Sequence, residues 1–544
     1  MAAGRWQRFW FGGGGRLSVA CVRIGIAVAV LGSLQTLLLR DGDPNAYDPD
    51  GILQLLGSEI PPRALLNTLL VVAYASTLAM LVGLFSRIST AISLVSALAL
   101  ISYDVSFMPG WIRANNVVFL AHIAFLGARC GDALSVDAWM RKRRGLPPAM
   151  GNYKWSLQLV QLGIALMFLS AAAAKWANGG FTLSWVFSDS MRHHLLMQFD
   201  VLGNERTVFA DWVIDNAFLY KGLAFGSMIS QTLPTATVFL MNRPWARFAC
   251  GSLFFAEAIG FGLLLGLWDL HWVPLYVAFI DWDRLIAWVR RRRHGKQPEV
   301  PAAIRPSRVR LVNVFVGGYL VIYIGTAFNP LPWDLKLQTY PFSRFPMFSV
   351  TRAKRPYDVH QSYDIIRGRF GVDSSKPIPE RVRKWLQHKY AYRWMHREDD
   401  PAKLERKLGV VQRSIGKRCK CEVRGLRLHH AVLRSPAYPE PAGLTEHRIA
   451  VVGELTPDGQ FRTAVGDVEV DGKTRRLVLR AVGLDLDRAQ VLYWRGDALE
   501  PTVLEAARDG QSFAVEVAST DEPETFGLLV DQTRYLVERT GNTY

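Results

Sequence analysis

Long apolar runs recur through the first three fifths of the 544-residue chain, separated by short polar loops, and continue to about Phe328. An apolar helix of about 20 residues crosses the ~30 Å hydrocarbon core of a bilayer. The pattern therefore predicts a polytopic α-helical membrane bundle with about nine spans. The predicted spans cover approximately residues 17–39, 64–85, 88–107, 115–128, 155–176, 217–240, 248–265, 268–280 and 309–328.

One aromatic and apolar segment, at residues 181–199, carries too many polar groups to cross a bilayer. It includes Asp189, Arg192, His193 and His194. We predict a re-entrant or interfacial segment on the outer side of the bundle. The topology of this segment and of residues 248–287 stays open at this stage.

Beyond about His429 the pattern changes to alternating apolar and polar positions separated by turns such as Pro457-Asp458-Gly459. This alternation predicts a small antiparallel β-sandwich or sheet. The expected organisation is a transmembrane helical domain at 1–330, a connecting region with short helices at 331–428, and a β-rich domain at 429–544.

The formal net charge of +17 does not indicate nucleic-acid binding, because the basic clusters lie at the ends of apolar helices. Arg141–Arg144 and Arg290–Arg293 are such clusters, and this placement is typical of cytoplasmic loops. We therefore expect an integral protein of a bacterial plasma membrane, in contact with lipid and without a nucleic-acid partner. Its N-terminus is predicted to be cytoplasmic and its β-rich domain extracytoplasmic.

Five cysteines in this length do not form a disulfide framework. Cys419 and Cys421, followed by His429 and His430, lack the spacing of a zinc site. We expect no metal.

Lys175 is the strongest candidate catalytic residue. It ends the apolar stretch Trp155–Trp176, directly after Ala171–Ala174. Small residues allow close helix packing, which favours burial of this end of the helix in the bundle. A buried amine that is neutral can act as a base. The alternative is a lysine that extends to the lipid headgroups and has no chemical role.

Two further charged residues lie within predicted spans. Arg23 is expected to pair with a carbonyl or with a carboxylate, either Glu257 or Asp104, or to hold an anionic oxygen of a substrate. Glu257 is predicted to be either the partner of Arg23 or a group that handles protons.

Other polar residues near the predicted outer face are candidates for substrate binding. Asn115 and Asn116 either cap a helix or face the bundle interior. His122 is either a hydrogen-bonded core residue or a proton carrier. Arg192 and His193, in the segment expected to cover Lys175, contact either substrate or headgroups.

Several short strings stand in the order and spacing of a known family. The chain resembles the HTTM superfamily and, within it, the vitamin K-dependent γ-carboxylase-like membrane proteins. The resemblance covers roughly residues 15–350. It rests on Arg23, Gly83–Ser89, Trp111 with Asn115 and Asn116, Ser135–Asp137, Ala171–Lys175, Arg192–His193 and Phe345–Ser349.

The resemblance implies quinol-dependent chemistry on a peptide or protein. Lys175 would be the base that deprotonates a reduced, vitamin K-type quinone, with O2 and CO2 as co-substrates of a glutamate carboxylation. This implies a γ-carboxylase or quinol epoxidase-like lyase acting at the outer membrane face. Met347 and Arg352, in and beside the string at 345–349, closely follow the last predicted span and are expected either to form one wall of a cleft between the bundle and the tail or to belong to a simple packed elbow.

The chain departs from the family at two positions. The carboxylases use histidines where this chain has Asp132 and the stretch Phe254–Glu257. A reduced version of the chemistry, or a different quinone-linked or peptide-modifying reaction, therefore stays open. So does a non-catalytic function, as a maturation or export partner, or a scaffold, for a secreted peptide or lipid.

Overall fold

The computed structural model describes residues 2–540 except 12–13, 36, 38–46, 48, 50, 57–58, 108–114, 148, 150, 202–203, 267–269, 292–305, 328–362, 387–399, 472–473, 496–500, 505–506, 510–511 and 518–523. The chain forms two compact units. The helical unit comprises the described residues within 1–41, 47–191 and 206–327, and the sheet unit comprises those within 192–205 and 363–540.

Helices account for almost all of the described structure up to residue 327. The α-helices are α1 Ala2–Phe11, α2 Arg16–Gln35, α3 Arg63–Val82, α4 Ser86–Ser106, α5 Asn116–Ala124, α6 Val136–Arg143, α7 Lys154–Asn178, α8 Ser184–Phe187, α9 Ser190–Leu196, α10 Val208–Ile214, α11 Ala217–Thr232, α12 Pro244–Leu265, α13 Trp282–Arg291 and α14 Pro306–Ala327. Short 3-10 helices cover Gly51–Leu56, Leu233–Phe239 and Leu270–Phe279, and a π-helical turn covers Met197–Val201.

Within the described residues, six helices are long and apolar enough to cross a membrane: α2, α3, α4, α7, α12 and the 308–325 part of α14. The nine predicted spans are therefore not confirmed. Predicted span 115–128 folds as the nine-residue α5, and 217–240 folds as α11 followed by the 3-10 helix Leu233–Phe239.

Predicted span 268–280 contains the 3-10 helix Leu270–Phe279, with Pro274 in its interior. A proline has no backbone N–H to donate and its ring crowds the preceding turn, so a regular α-helix is disfavoured there. At ~2 Å rise per residue, a ten-residue 3-10 helix is also shorter than the ~30 Å core of a bilayer.

Helix α7 lies at the centre of the helical unit and is the most buried of the six long helices. Two of its glutamines satisfy carbonyls at the ends of the 3-10 helices. Gln158 Nε2 donates to the Val238 carbonyl (2.8 Å), and Gln161 Nε2 donates to the Ala278 carbonyl (2.7 Å). The last carbonyls of a helix have no partner within it, and in an apolar interior such groups are costly unless bonded. These two amides therefore stabilise the interrupted helices.

The sheet unit contains one eleven-stranded sheet in the described residues. The strands are β1 Tyr363–Ser374, β2 Val423–Ser435, β3 Thr445–Leu455, β4 Phe461–Asp471, β5 Thr474–Val482, β6 Gln490–Arg495, β7 Thr502–Leu504, β8 Ala507–Asp509, β9 Ser512–Val517, β10 Glu524–Val530 and β11 Thr533–Thr540. The strand order is β7-β6-β10-β11-β3-β4-β5-β9-β8, with β2 also pairing β3 and β1 pairing β2.

This unit confirms a strand-rich C-terminal region. Its first strand, β1, lies before the region that was predicted to be β-rich, and it pairs along its whole length with β2. The sheet is also not purely antiparallel, since β11 pairs in parallel with β3 and β4. Parallel neighbours are distant in sequence, and local alternation does not reveal such pairing.

Strand alternation builds two apolar cores in the sheet unit. Ala450 and Val452 of β3 face one core, whereas Val451 faces the other. The first core is closed by α15 (Glu380–Leu386) and α16 (Pro401–Cys419). Helix α16 buries one face, formed by Leu404, Leu408, Val411 and Ile415. Their spacing of three or four residues places them along one side of a helix.

A buried carboxylate sits within this sheet. Glu454 is 2% exposed; it accepts a hydrogen bond from the Tyr535 hydroxyl (2.7 Å) and pairs with Arg427 and Arg462. Burial, together with the Glu454 carboxylate, raises the pKa of the Tyr535 phenol. The phenol therefore keeps its proton and remains a donor to Glu454 at neutral pH.

Candidate functional site

Lys175 lies inside the helical unit, with 1% of its side chain exposed. Its Nζ donates to Gln231 Oε1 at 2.8 Å and to Ser227 Oγ at 3.4 Å. The same nitrogen lies 4.6 Å from the ring centroid of Trp185. The burial expected from the alanine run is thus observed, and the amine contacts residues of the bundle interior.

Gln231 connects the lysine to a buried carboxylate. Its Nε2 donates to Glu257 Oε1 at 2.5 Å, while its Oε1 accepts from Lys175. Glu257 also accepts from Ser230 Oγ (3.2 Å) and Ser227 Oγ (3.5 Å). We refer to Lys175, Ser227, Ser230, Gln231 and Glu257 as the lysine–glutamate network.

The network balances charge in a region where isolated charges are costly. An ammonium and a carboxylate buried together are tolerated only when both are paired and hydrogen-bonded. Transfer of one proton between Lys175 and Glu257 leaves the net charge of the network unchanged. Ser227 contacts both groups, so its hydroxyl can accept a proton from the amine side and donate one to the carboxylate.

The local sequence explains how Trp185 reaches the amine. Gly180 has φ +65°, a conformation that glycine adopts without strain, and it allows the chain to reverse after α7. A side chain at Gly179 would approach Ser184 Oγ to 2.7 Å, so the turn is closely packed. The short α8 then places the Trp185 ring against Lys175 and Ala224.

The structure shows which of the predicted partners Arg23 has, namely carbonyl groups. This buried guanidinium donates to the carbonyls of Cys130 (2.6 Å), Ala133 (3.5 Å) and Leu134. The described contacts of Glu257 lead instead to Gln231 and the lysine. A loop that presents several carbonyls in one direction satisfies a guanidinium as a carboxylate would.

Three strings that carry the family resemblance meet around Arg23. Gly83 has φ +72°, and a side chain there would lie 2.6 Å from Arg23 Nη1 and 2.4 Å from Ser135 Cβ. The Asp137 carboxylate accepts from the backbone N–H of Ser86 (2.8 Å) and so caps α4. This arrangement connects α2, α4 and α6. In this structure, Arg23, Gly83–Ser89 and Ser135–Asp137 thus contribute to the packing of these helices.

The polar residues of α5 also make helix-to-helix contacts. Asn115 stands at the N-cap position, but its Oδ1 accepts from Ser33 Oγ of α2 (2.9 Å), and no capping bond from its side chain is observed. His122 Nε2 lies 3.1 Å from the Thr90 carbonyl of α4 and therefore acts as a donor. Asn116 is buried beside them.

Arg192 and His193 belong to the sheet unit, where they contact the turn after β2. Arg192 donates to the carbonyls of Pro436 (2.5 Å) and Glu440 (2.7 Å), and His193 Nδ1 lies 2.6 Å from Ser435 Oγ. These contacts fix the residues that follow the strand. The predicted binding residues Met347 and Arg352 lie outside the described residues.

The two positions at which the family has histidines differ in their surroundings. Asp132 pairs with Arg129 (3.0 Å) and accepts from the Tyr153 hydroxyl (2.8 Å), which anchors a loop. Glu257, by contrast, belongs to the lysine–glutamate network. Of the two regions, only the one that contains Glu257 therefore provides a titratable side chain that is connected to Lys175.

Sequence reasoning missed the residues that complete the network. Ser230 and Gln231 follow Ser227 by three and four positions in α11, and this spacing places them on the same face of the helix as Ser227. This spacing could have identified a polar face of α11 from the sequence. Nothing in the sequence distinguishes Trp185 from the other 16 of the 17 tryptophans.

Comparison of the chain with protein-family models, curated proteins and solved structures finds no match. The family resemblance therefore stays a prediction. Among the described residues, no group of three or more histidine, cysteine, aspartate or glutamate side chains is arranged to hold a metal ion.

Proposed function

We propose that this chain is a membrane-embedded enzyme in which Lys175 is the base, acting on an acidic O–H group of a substrate in the bundle. The observation that supports the proposal is the buried contact of the Lys175 amine with Gln231, whose amide also bonds Glu257. A neutral amine would take the substrate proton. Ser227 would pass a proton on to Glu257.

A reduced quinone fits the residues around the amine. Its hydroxyl would donate to Lys175, and its flat apolar ring would pack against Trp185, whose ring centroid lies 4.6 Å from the amine. When bound, such a quinol would supply, together with O2, the oxidising power for glutamate carboxylation with CO2. Gln231 would hold the lysine in position through its bond to Nζ.

The contacts of Glu257 support a specific role for this residue in the proposed reaction. Once Lys175 has taken a proton, the resulting ammonium needs an opposite charge nearby in the apolar interior. Glu257, connected through Gln231 and Ser227, supplies it. We infer that the glutamate replaces a histidine as the group that accepts or stabilises the abstracted proton.

The proposal is tested with purified protein, reduced vitamin K, a glutamate-containing peptide and labelled bicarbonate. We expect epoxide formation and label incorporation by the wild-type chain. Lys175→Ala should lower both by at least ~100-fold, as expected for loss of a general base. Lys154→Ala, at the other end of α7, should leave both within about twofold and serves as the matched control.

The unfolding midpoint of each variant shows whether it is folded. If the epoxide forms without carboxylation, quinol oxidation by this chain is supported and carboxylation of the peptide is excluded. If the folded wild-type chain forms neither product, the proposal is wrong.

The cation–π contact between Lys175 and Trp185 favours a second candidate, in which the lysine remains an ammonium and the chain is a non-catalytic maturation or export partner. Lys175→Arg distinguishes the two, because arginine stays protonated and cannot act as a base. If the arginine variant supports secretion of the bound peptide as well as the wild-type chain does, the result favours the non-catalytic function over the enzymatic one.

A further inference from the structure

The C-terminal end of α16 carries a disulfide between Cys419 and Cys421, with Cα atoms 5.2 Å apart. Lys420 stands between them in a left-handed conformation, φ +51°. The Cys421 N–H donates to the Gly416 carbonyl at 3.3 Å. This bond pattern is a helix C-cap. The cap, built from backbone bonds, holds the two cysteines side by side.

The bridge contributes little as a cross-link. Stabilisation by a disulfide grows with the length of the closed loop, and here the cysteines are separated by only two positions. The backbone bonds of the cap already fix this turn. The reduced dithiol would therefore keep the same arrangement, and the pair can open and close without unfolding the helix.

Both cysteines are half-buried, and three of the four charged residues at positions 417–422 are basic, Glu422 being the exception. Lys417, Arg418 and Lys420 are exposed at the end of α16. Nearby cations stabilise a thiolate electrostatically, and this lowers the barrier to thiol–disulfide exchange. Cys419 also packs against the core of the sheet unit, which leaves the Cys421 sulfur as the better target for an attacking thiolate.

We propose that Cys419 and Cys421 form a redox-active pair that exchanges with thiols of a cysteine-containing peptide. A peptide thiolate attacks the Cys421 sulfur, the Cys419–Cys421 bond breaks, and Cys419 leaves as a thiolate. A second peptide thiolate then attacks the peptide sulfur of this mixed disulfide. The peptide is oxidised to a disulfide and the protein pair is reduced to a dithiol.

A low-molecular-weight disulfide restores the oxidised pair. Exchange with it returns the Cys419–Cys421 bond and releases two small thiols, so that electrons balance over the cycle. This activity is independent of Lys175 and of any quinol.

The test uses the full chain in detergent, equilibrated in buffers with different ratios of reduced to oxidised glutathione. After acid quenching and alkylation, mass spectrometry maps the redox state of each cysteine. We expect the reduced fraction of the 419–421 pair to follow the glutathione ratio while the unfolding midpoint remains that of the native chain. In Cys419→Ser, Cys421 should carry at least tenfold more bound glutathione than Cys250, which is a free cysteine of α12.

The basic surroundings provide a second readout. Lys417→Glu should slow reaction with glutathione, a net anion, several-fold more than reaction with uncharged 2-mercaptoethanol. Lys403→Glu, at the opposite end of α16, is the matched control and should affect neither.

The proposal is overturned if the pair stays oxidised at every ratio in 10 mM total glutathione, a concentration of order that of reducing compartments. It is also overturned if Cys421 in Cys419→Ser is no more reactive than Cys250. In either case the bridge is only a structural link.

Discussion

At the scale of single residues, the arrangement around Gln231 has the clearest chemical consequence. Its amide accepts from Lys175 on one side and donates to Glu257 on the other, which fixes its orientation. An amide held in this way positions the amine and electrostatically couples it to the carboxylate. The lysine and the glutamate therefore act as one unit, although they lie on α7 and α12.

This coupling is measurable as a double-mutant cycle. Lys175→Met and Glu257→Gln each leave the other group without its opposite charge, and both should destabilise the protein. The double variant should lose ~0.5–3 kcal/mol less than the sum of the single losses, because it leaves no buried charge unpaired. The free energy of unfolding in detergent gives the comparison.

Lys154→Met combined with Glu257→Gln is the control for this cycle. Lys154 begins α7, about 30 Å from Lys175 at the helical rise per residue. Its effect should add to that of Glu257→Gln within ~0.5 kcal/mol. Additive losses for Lys175 and Glu257 as well would show that the two groups are not coupled.

At the scale of secondary-structure elements, the helical unit is built from long helices and interrupted ones. Gln158 and Gln161 of α7 satisfy carbonyls of the 3-10 helices, and Asp137 caps α4. Each contact provides a partner to backbone groups at a helix end. Side chains distant in sequence thus determine where helices stop.

The turn between α3 and α4 gives a prediction at this scale. Gly83→Ala places a Cβ within 2.4–2.9 Å of Ser135 and Arg23 and requires a left-handed backbone conformation. The added Cβ therefore causes steric overlap as well as backbone strain, and we expect the free energy of unfolding to fall by more than ~1 kcal/mol.

Gly222→Ala is the matched control for that substitution. Gly222 lies within α11, and a Cβ there meets no atom within 4 Å. Alanine is a better helix former than glycine, so a gain of ~0.5–1 kcal/mol is expected. Equal effects at the two glycines would contradict the role assigned to the turn at Gly83.

At the scale of the whole molecule, six long apolar helices and a strand-rich unit are consistent with a membrane protein that carries a water-exposed domain. The basic residues of α6, Arg141, Lys142 and Arg143, are not buried and lie in its last turn. The charge bias of cytoplasmic loops predicts that α6 lies on the inner side of the membrane, and the sequence predicts an extracytoplasmic β-rich region.

This orientation predicts opposite accessibility for two introduced cysteines. In intact spheroplasts, a membrane-impermeant maleimide should label Asp458→Cys, at an exposed turn of the sheet unit, but not Lys142→Cys in α6. Labelling of both after lysis shows that both sites are reactive. Labelling of Lys142→Cys alone in intact cells would reverse the orientation.

Features that depend on local pattern are predictable from the amino-acid sequence. The apolar runs indicate the long helices, the alternation from His429 onward indicates strands, and the alanines before Lys175 indicate a closely packed helix end. These follow from the periods of helix and strand and from side-chain size, which neighbouring residues define.

Contacts between groups that are distant in sequence became visible only in the folded chain. Local pattern could not show that Glu257 joins Lys175 through Gln231, that Arg23 binds carbonyls, or that β11 pairs in parallel with β4. It also did not predict the 3-10 helix Leu270–Phe279. A buried polar group needs a partner, but many partners satisfy it equally well, and the packing of the chain selects one of them.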